Sequence, residues 1–367
     1  MWPRRFFPVG FLLCAVLAAP AGCGQSDSDA DDENAVNPED PESPVAEAAS
    51  PAVPPALVPV PLASAAPATP AERFPLVKTI EQTLRQPGPQ GWAVSRSSLE
   101  LSLSVTVEEA RSTTGRIDRS LPAGTRRMRV QFDRVRFAQE IPGQPRSEYD
   151  SSATGALVPP AAWGYASLKD NGFDFYLSHD NQIAEVAGFE QFVNRCLKNV
   201  APERQAEMRA LFGNPDGAEA VANFVDESIG ILPATDLREG DVWNRERRFA
   251  QPVPMHASLR YTLRRLNSDS ADIDVQGLLA PVGPALPGEG ARQVSIALRG
   301  GRLLGSCTID RRTGLPLYSR TQETLDMLVR TADGLEFEQS KSTITTLRPA
   351  AGSLAAQSGA AFQSTRQ

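Results

Sequence analysis

Ser97-Ser98-Leu99-Glu100-Leu101-Ser102-Leu103-Ser104-Val105-Thr106-Val107-Glu108-Glu109 alternates apolar and polar residues without a break. A β-strand sends successive side chains to opposite faces, so this stretch reads as a strand. Leu99, Leu101, Leu103, Val105 and Val107 lie on its buried side. A half-buried strand needs neighbours of the same kind, and the chain supplies them. Met128, Val130 and Phe132 share one parity and Val135 and Phe137 the other, which predicts a β-bulge at Asp133-Arg134. Alternation recurs at Phe173, Phe175 and Leu177, at Leu259, Tyr261 and Leu263, and at Ile273 and Val275. It returns at Val294, Ile296 and Leu298 and at Leu325, Met327 and Val329. Parallel strands covered on both faces would read as continuous apolar runs, so the pattern specifies an antiparallel sheet with one wet face. Arg311-Arg312-Thr313-Gly314 and Asp333-Gly334 are turn signals that join the last three strands into a meander.

Between the two groups of strands the period changes. Phe189, Phe192, Val193, Cys196, Leu197 and Val200 recur at spacings of three and four. Met208, Leu211, Phe212, Val221, Phe224, Val225 and Ile229 continue the pattern. This predicts two or three helices between Glu190 and Ile229, with Pro202 opening the second and Gly213 ending it. The expected fold is α+β. It is a long curved antiparallel β-sheet, half-barrel-like, with a two- to three-helix insertion packed on its concave face.

The chain ends belong to another class. Arg4 and Arg5 precede an apolar run from Phe6 to about Ala19, too short for a membrane span of about 20 residues, so residues 1–22 read as a signal peptide. Leu17-Ala18-Ala19-Pro20-Ala21-Gly22-Cys23 resembles the lipobox of bacterial lipoproteins, with Pro20 where Leu or Val is usual. The resemblance implies acylation of Cys23, and secretion with cleavage after Ala21 is the alternative. Residues 23–70 hold nine acids, no base and ten prolines, which predicts a disordered acidic tether. Residues 350–367 read as a disordered tail, leaving 71–349 as the folded domain. The net charge of −7 is therefore a property of the tether. From residue 71 onward the chain is formally neutral, which argues against a nucleic-acid partner bound through a basic face.

Arg73-Phe74-Pro75-Leu76-Val77-Lys78-Thr79 with Gln82-Thr83-Leu84, Phe132-Asp133-Arg134-Val135-Arg136-Phe137, Tyr149-Asp150-Ser151, Ile309-Asp310-Arg311-Arg312-Thr313-Gly314-Leu315-Pro316 and Gln339-Ser340-Lys341 carry a further likeness. They resemble an uncharacterised family of bacterial envelope lipoproteins frequent in planctomycetes. The likeness implies a place in the cell envelope, lipid-anchored to a membrane and facing an extracytoplasmic compartment. It brings no catalytic residues with it.

Signatures of chemistry are missing from the sequence: there is no G-x-S-x-G, P-loop, H-E-x-x-H or C-x-x-C. His179, in a Ser-His-Asp-Asn turn, and His256, with no acid beside it in sequence, do not make a zinc set. Asp150, Asp174 and Asp310 are the acids that a carboxylate-based hydrolase would have to bring together. The competing reading makes Asp150-Ser151 and Asp310 turn caps. Trp243, after the turn Gly240-Asp241, reads as a core anchor. No catalytic residue, metal or cofactor is assigned. With Cys23 as the anchor, Cys196 and Cys307 remain, and an exported pair of inward cysteines is expected to form a disulfide.

The function these features favour is a non-enzymatic, membrane-anchored binding module for an apolar ligand or an envelope protein. Leu101, Leu103, Phe173, Phe175 and Phe192 are its candidate ligand surface. A structural or interaction scaffold is the alternative, and it would bury these five completely.

Overall fold

The computed structural model describes residues 72–88, 91–109, 125–155, 157–178, 183–198, 200, 202, 205, 209, 236–249, 253–282, 295–311, 313–331 and 333–351. The expectations for residues 1–70, for His179, for Val294, for the later part of the helical insertion and for the tail lie outside this set.

Twelve strands form the framework. They are β1 (Glu72–Gly88), β2 (Gly91–Glu109), β3 (Arg126–Glu140), β4 (Ser147–Asp150), β5 (Gly172–Leu177), β6 (Ile183–Ala187), β7 (Val242–Phe249), β8 (Met255–Leu266), β9 (Ser270–Pro281), β10 (Ser295–Asp310), β11 (Pro316–Arg330) and β12 (Glu336–Pro349). Their order across the sheet is β6-β5-β3-β2-β1-β12-β11-β10-β9-β8-β7, with β4 paired to β3, and every pairing is antiparallel. The sheet is open, because β6 and β7 end the path and do not pair with each other. A 3₁₀ turn (Pro160–Ala162) leads into α1 (Trp163–Ala166), and α2 (Phe189–Leu197) follows β6. The fold is the α+β half-barrel-like sheet that the alternation predicts. Of the predicted insertion, α2 is its first helix, and Pro202, Gln205 and Arg209 are also helical.

Register explains the curvature. Strands of up to 19 residues cannot stay flat against their own twist, and bulges let them bend. One lies where the parity change places it: Arg134 pairs with Ser102 and Phe132 with Leu103, leaving Asp133 extra. Others fall between Leu263 and Arg265 and between Leu298 and Gly300. Both predicted turns hold. Asp310 accepts from the Thr313 N–H at 2.7 Å, with Gly314 at φ 73°, and Gly334 sits at φ 84°.

The registers place all the inward residues on one continuous face, where two apolar clusters form. The first joins β1, β2, β3 and β5 to the helices. Phe132, Phe175 and Phe192 are wholly buried there, Phe173 meets Phe192 edge-on at 5.4 Å, and Tyr165 of α1 stacks on Phe137 at 5.6 Å. The apolar stripe Phe189, Phe192, Val193, Cys196 and Leu197 is what lets so short a helix hold, since packing rather than propensity stabilises it. The second cluster lines β8 to β11, from Met255, Leu259, Tyr261 and Leu263 to Leu325 and Met327. Trp243 stacks on Tyr261 at 5.5 Å, the anchor role expected of it.

The outer face is a lattice of arginines and acids. Arg134 and Arg136 hold Asp150 at 2.5 and 3.2 Å, Arg127 and Arg129 hold Asp174, and Arg73 reaches Asp133 at 2.9 Å. Exposed pairs of this kind are worth at most about 1 kcal/mol each, so they keep this face wet rather than hold the fold.

The expected disulfide is not formed. Cys196 and Cys307 are both free and buried. Both point inward, as parity requires, but the inward face spans two clusters and each thiol sits in a different one. Five strands lie between β5, on which α2 packs, and β10, which carries Cys307. The Cys196 thiol donates to the Ser167 carbonyl at 3.6 Å, and Cys307 lies opposite Ser319.

Candidate functional site

Between the two apolar clusters the inward residues of the central strands turn polar. Gln139 of β3, Ser97 of β2, Gln82 of β1, Thr343 of β12 and Glu323 of β11 are register partners in one row across five adjacent strands, which ends at Leu303 of β10. The next rows add Lys341, opposite Leu84 and Leu325, and Thr345, opposite Ile80 and Thr321. Beyond these are Lys78, opposite Leu101 and Leu347, and Gln339, whose side-chain amide donates to Gln86 at 2.8 Å. Strands about 4.8 Å apart make this seam roughly 20 Å wide.

Much of the seam is buried, with Thr343, Thr345 and Glu323 half-buried. Lys78 is 2 % exposed, Lys341 4 %, Gln139 and Gln339 6 %, Gln82 8 % and Ser97 9 %. Burial pushes the Lys341 ammonium below the usual lysine range, and the negative charge of Glu323, diagonally across the β11–β12 pair, works in the opposite direction. Among the described residues no carboxylate lies within 4 Å of that ammonium. The Gln82 Oε1 and Thr343 Oγ1 atoms, on directly paired residues, are buried without any hydrogen-bond partner. A buried polar atom left unpaired costs about 1–3 kcal/mol, and a buried charge costs more.

The sequence-predicted ligand surface lies elsewhere. Leu101, Leu103, Phe173, Phe175 and Phe192 are between 0 and 4 % exposed and pack in the first cluster. They are closed core, because α2 fills the space above β3 and β5 with its own aromatic residues. An open groove of about 550 Å³ lies nearby among β3, β5 and α2, lined by Arg129, Gln131, Asp170, Gly172, Gln191 and Arg195 among others. Its charges are already engaged: Arg195 donates to Asn171 Oδ1 at 2.9 Å and to the Gly172 carbonyl at 2.8 Å, and Arg129 to Asp174 at 3.0 Å.

The three acids of the hydrolase alternative do not meet. Asp150 is clamped by Arg134 and Arg136 and accepts from Ser152, which together hold its carboxyl well below the usual carboxylate range. Asp174 is bound by two arginines, and Asp310 caps its turn. Of the histidines, His256 does have an acid, which sequence adjacency could not show. The β7–β8 register brings Glu246 to 2.7 Å, and Ser258 donates to the same carboxylate at 3.0 Å, on the exposed face. Among the described residues no three of His, Cys, Asp and Glu form a metal-holding group, and no helix is long and apolar enough to cross a membrane.

Sequence reasoning missed the seam. Its residues stand at inward positions of β1 and β12, where polar side chains break the alternation. Lys78, Gln82, Gln339 and Lys341 were visible only as parts of the family-like stretches.

No curated protein matches this sequence. Two solved structures are similar over much of their length. One is provisionally described as an outer membrane lipoprotein-sorting protein domain from Vibrio parahaemolyticus, with 10 % identity, 76 % of this chain and 86 % of that one covered, and a TM-score of 0.13. The other is a DUF1329 family protein from Desulfovibrio piger, with 9 % identity, 75 % and 86 % covered, and a TM-score of 0.13. At these TM-scores neither defines the fold or the function of this chain. A family model matches residues 123–316, from the start of β3 to the first residue of β11 and just over half of the sequence, and the chain accordingly belongs to DUF6263, a family of unknown function.

Proposed function

We propose that the chain is a non-enzymatic binding module of the bacterial cell envelope, anchored to a membrane by acylation at Cys23, and that it binds on the inner face of its sheet. The observation that carries this reading is the polar seam. A sheet that served only as a scaffold gains stability from apolar residues at its most buried positions, whereas this one places two lysines and three glutamines there and leaves two oxygens unpaired. Unpaired groups in so buried a place are accounted for by a ligand that completes them. The five apolar residues expected to meet the ligand are buried in the first cluster, as the scaffold alternative requires, so the binding reading rests on the seam alone.

Mass spectrometry of the full-length protein, purified gently from membranes and then extracted with solvent, tests both halves. The expected results are an acylated N-terminal Cys23 peptide, its loss and release of the protein to the soluble fraction in Cys23→Ser, and a stoichiometric co-purifying molecule. Unchanged membrane retention of Cys23→Ser overturns the anchor. A native protein that carries no bound molecule overturns the binding role.

A further inference from the structure

We propose that Lys341, Gln82 and Thr343 form a binding site for a phosphate monoester, either free or as the head group of an amphiphile. The inference rests on the reading of the inner face as a binding surface, and it names the chemistry that surface accepts.

Two unpaired oxygens and one buried lysine lie at neighbouring positions. Gln82 and Thr343 are direct register partners, and Lys341 lies on the same strand face two residues, or about 7 Å, from Thr343. Lys341 is 4 % exposed and has no carboxylate in contact among the described residues, so it calls for an anion. Gln82 Oε1 has no donor, so it calls for a group with a proton to give. Thr343 Oγ1 serves either need, since a hydroxyl both donates and accepts.

A carboxylate or a phosphodiester answers Lys341 but brings no proton to Gln82. A neutral alcohol answers Gln82 but leaves the ammonium unbalanced. A singly protonated phosphate monoester answers all three: its P–OH donates to Gln82 Oε1, and its P–O⁻ accepts from Lys341 Nζ and from the Thr343 hydroxyl. Glu323 faces the same space from β11, directly opposite Thr343. Ser97 and Gln139 extend the polar row on the other side. Leu303, Leu325 and Ile80 border the site with apolar surface against which an alkyl chain can lie.

The test is calorimetric titration of full-length Cys23→Ser protein in phosphate-free buffer with inorganic phosphate, dodecyl phosphate and didodecyl phosphate. The wild-type binding face is expected to take one dodecyl phosphate per chain, and didodecyl phosphate, which lacks the P–OH at its monoanionic charge, at least tenfold more weakly. Inorganic phosphate binding as tightly as dodecyl phosphate identifies free phosphate as the source, and a tenfold advantage of dodecyl phosphate identifies a lipid head group. Lys341→Met, which is close in volume and removes a buried charge, is expected to remain folded by circular dichroism and to lose binding at least thirtyfold. Gln82→Leu is expected to lose about tenfold and to abolish the preference over the diester, and Lys341→Arg is the folding control that retains binding in part. Failure of all three probes to bind the wild-type face, or equal binding to Lys341→Met, overturns the proposal. If a co-purifying molecule without phosphorus is found at the same time, the binding role stands and only the phosphate assignment falls.

Discussion

Replacing Phe192 by alanine separates a closed core from a ligand-lined surface. The side chain is wholly buried, and its ring lies 5.4 Å from Phe173, 5.6 Å from Phe189 and 6.3 Å from Phe132 by centroids. Truncating a core phenylalanine costs about 3–5 kcal/mol, through lost burial and the cavity left behind. Each aromatic pair adds about 0.5–1.5 kcal/mol beyond its area, so three partners put this site in the upper part of that range, at about 4–5 kcal/mol. Unfolding entropy of about 2.1 cal/mol/K per residue gives a domain of this size roughly 0.6 kcal/mol per kelvin, so the melting temperature should fall by about 8 °C. Urea unfolding followed by fluorescence should show the midpoint moving with the slope unchanged. A loss below about 1 kcal/mol would mean that Phe192 borders open space, and it would return the aromatic cluster to the role of a ligand surface.

Two further outcomes follow from the titratable groups. Burial pushes the Cys196 thiol up to about 11 and the Cys307 thiol to about 12, so neither should react with iodoacetamide in the native protein at pH 8. In denaturant without reductant both peptides should carry the label, and a linked, unlabelled pair in the mass spectrum would restore the disulfide. Asp150 is held below its usual range chiefly by Arg134, so its ion pairs stabilise the protein above the unfolded carboxyl value of about 3.9 and lose that effect as the pH falls through and below it. The stability gap between wild type and Asp150→Asn should therefore be full at pH 6–7 and shrink towards pH 3. A gap that does not change with pH refutes the assignment.

What could be read from the residues followed the physics of a two-faced strand. Where inward positions are apolar, as in Leu99 to Val107, in Leu259 to Leu263 and in Leu325 to Val329, alternation located the strands, and a change of parity located the Asp133 bulge. It failed at β1 and β12, whose inward residues run Leu76, Lys78, Ile80, Gln82 and Gln339, Lys341, Thr343, Thr345. Those two strands carry the candidate site, and local rules give way where a buried face is shaped for something other than packing. The cysteine pairing failed for a different reason. Inward direction can be read from parity, but which of two clusters a residue enters depends on strand order, and strand order cannot be read from period. The His256–Glu246 contact was hidden in the same way, since it depends on the register between β7 and β8.

The pairing of β1 with β12 joins the earliest described strand to the last one, and their partnered residues run from Leu76 with Pro349 to Arg85 with Ser340. Strands β1 to β6 all lie on one side of this junction and β7 to β12 on the other, so the two halves of the sheet meet along a single ladder whose members are about 260 residues apart in the chain. The half built around the helices can assemble most of its core before the last strand is in place, since only Leu315 and Leu347 of the first cluster come from the C-terminal strands and their turn. The seam cannot exist until β12 has docked, because Lys341 and Thr343 arrive with it. A chain cut short before residue 336 would keep the buried residues of both apolar clusters apart from Leu347 but no complete site, so the capacity to bind would report that the last strand has been made and docked.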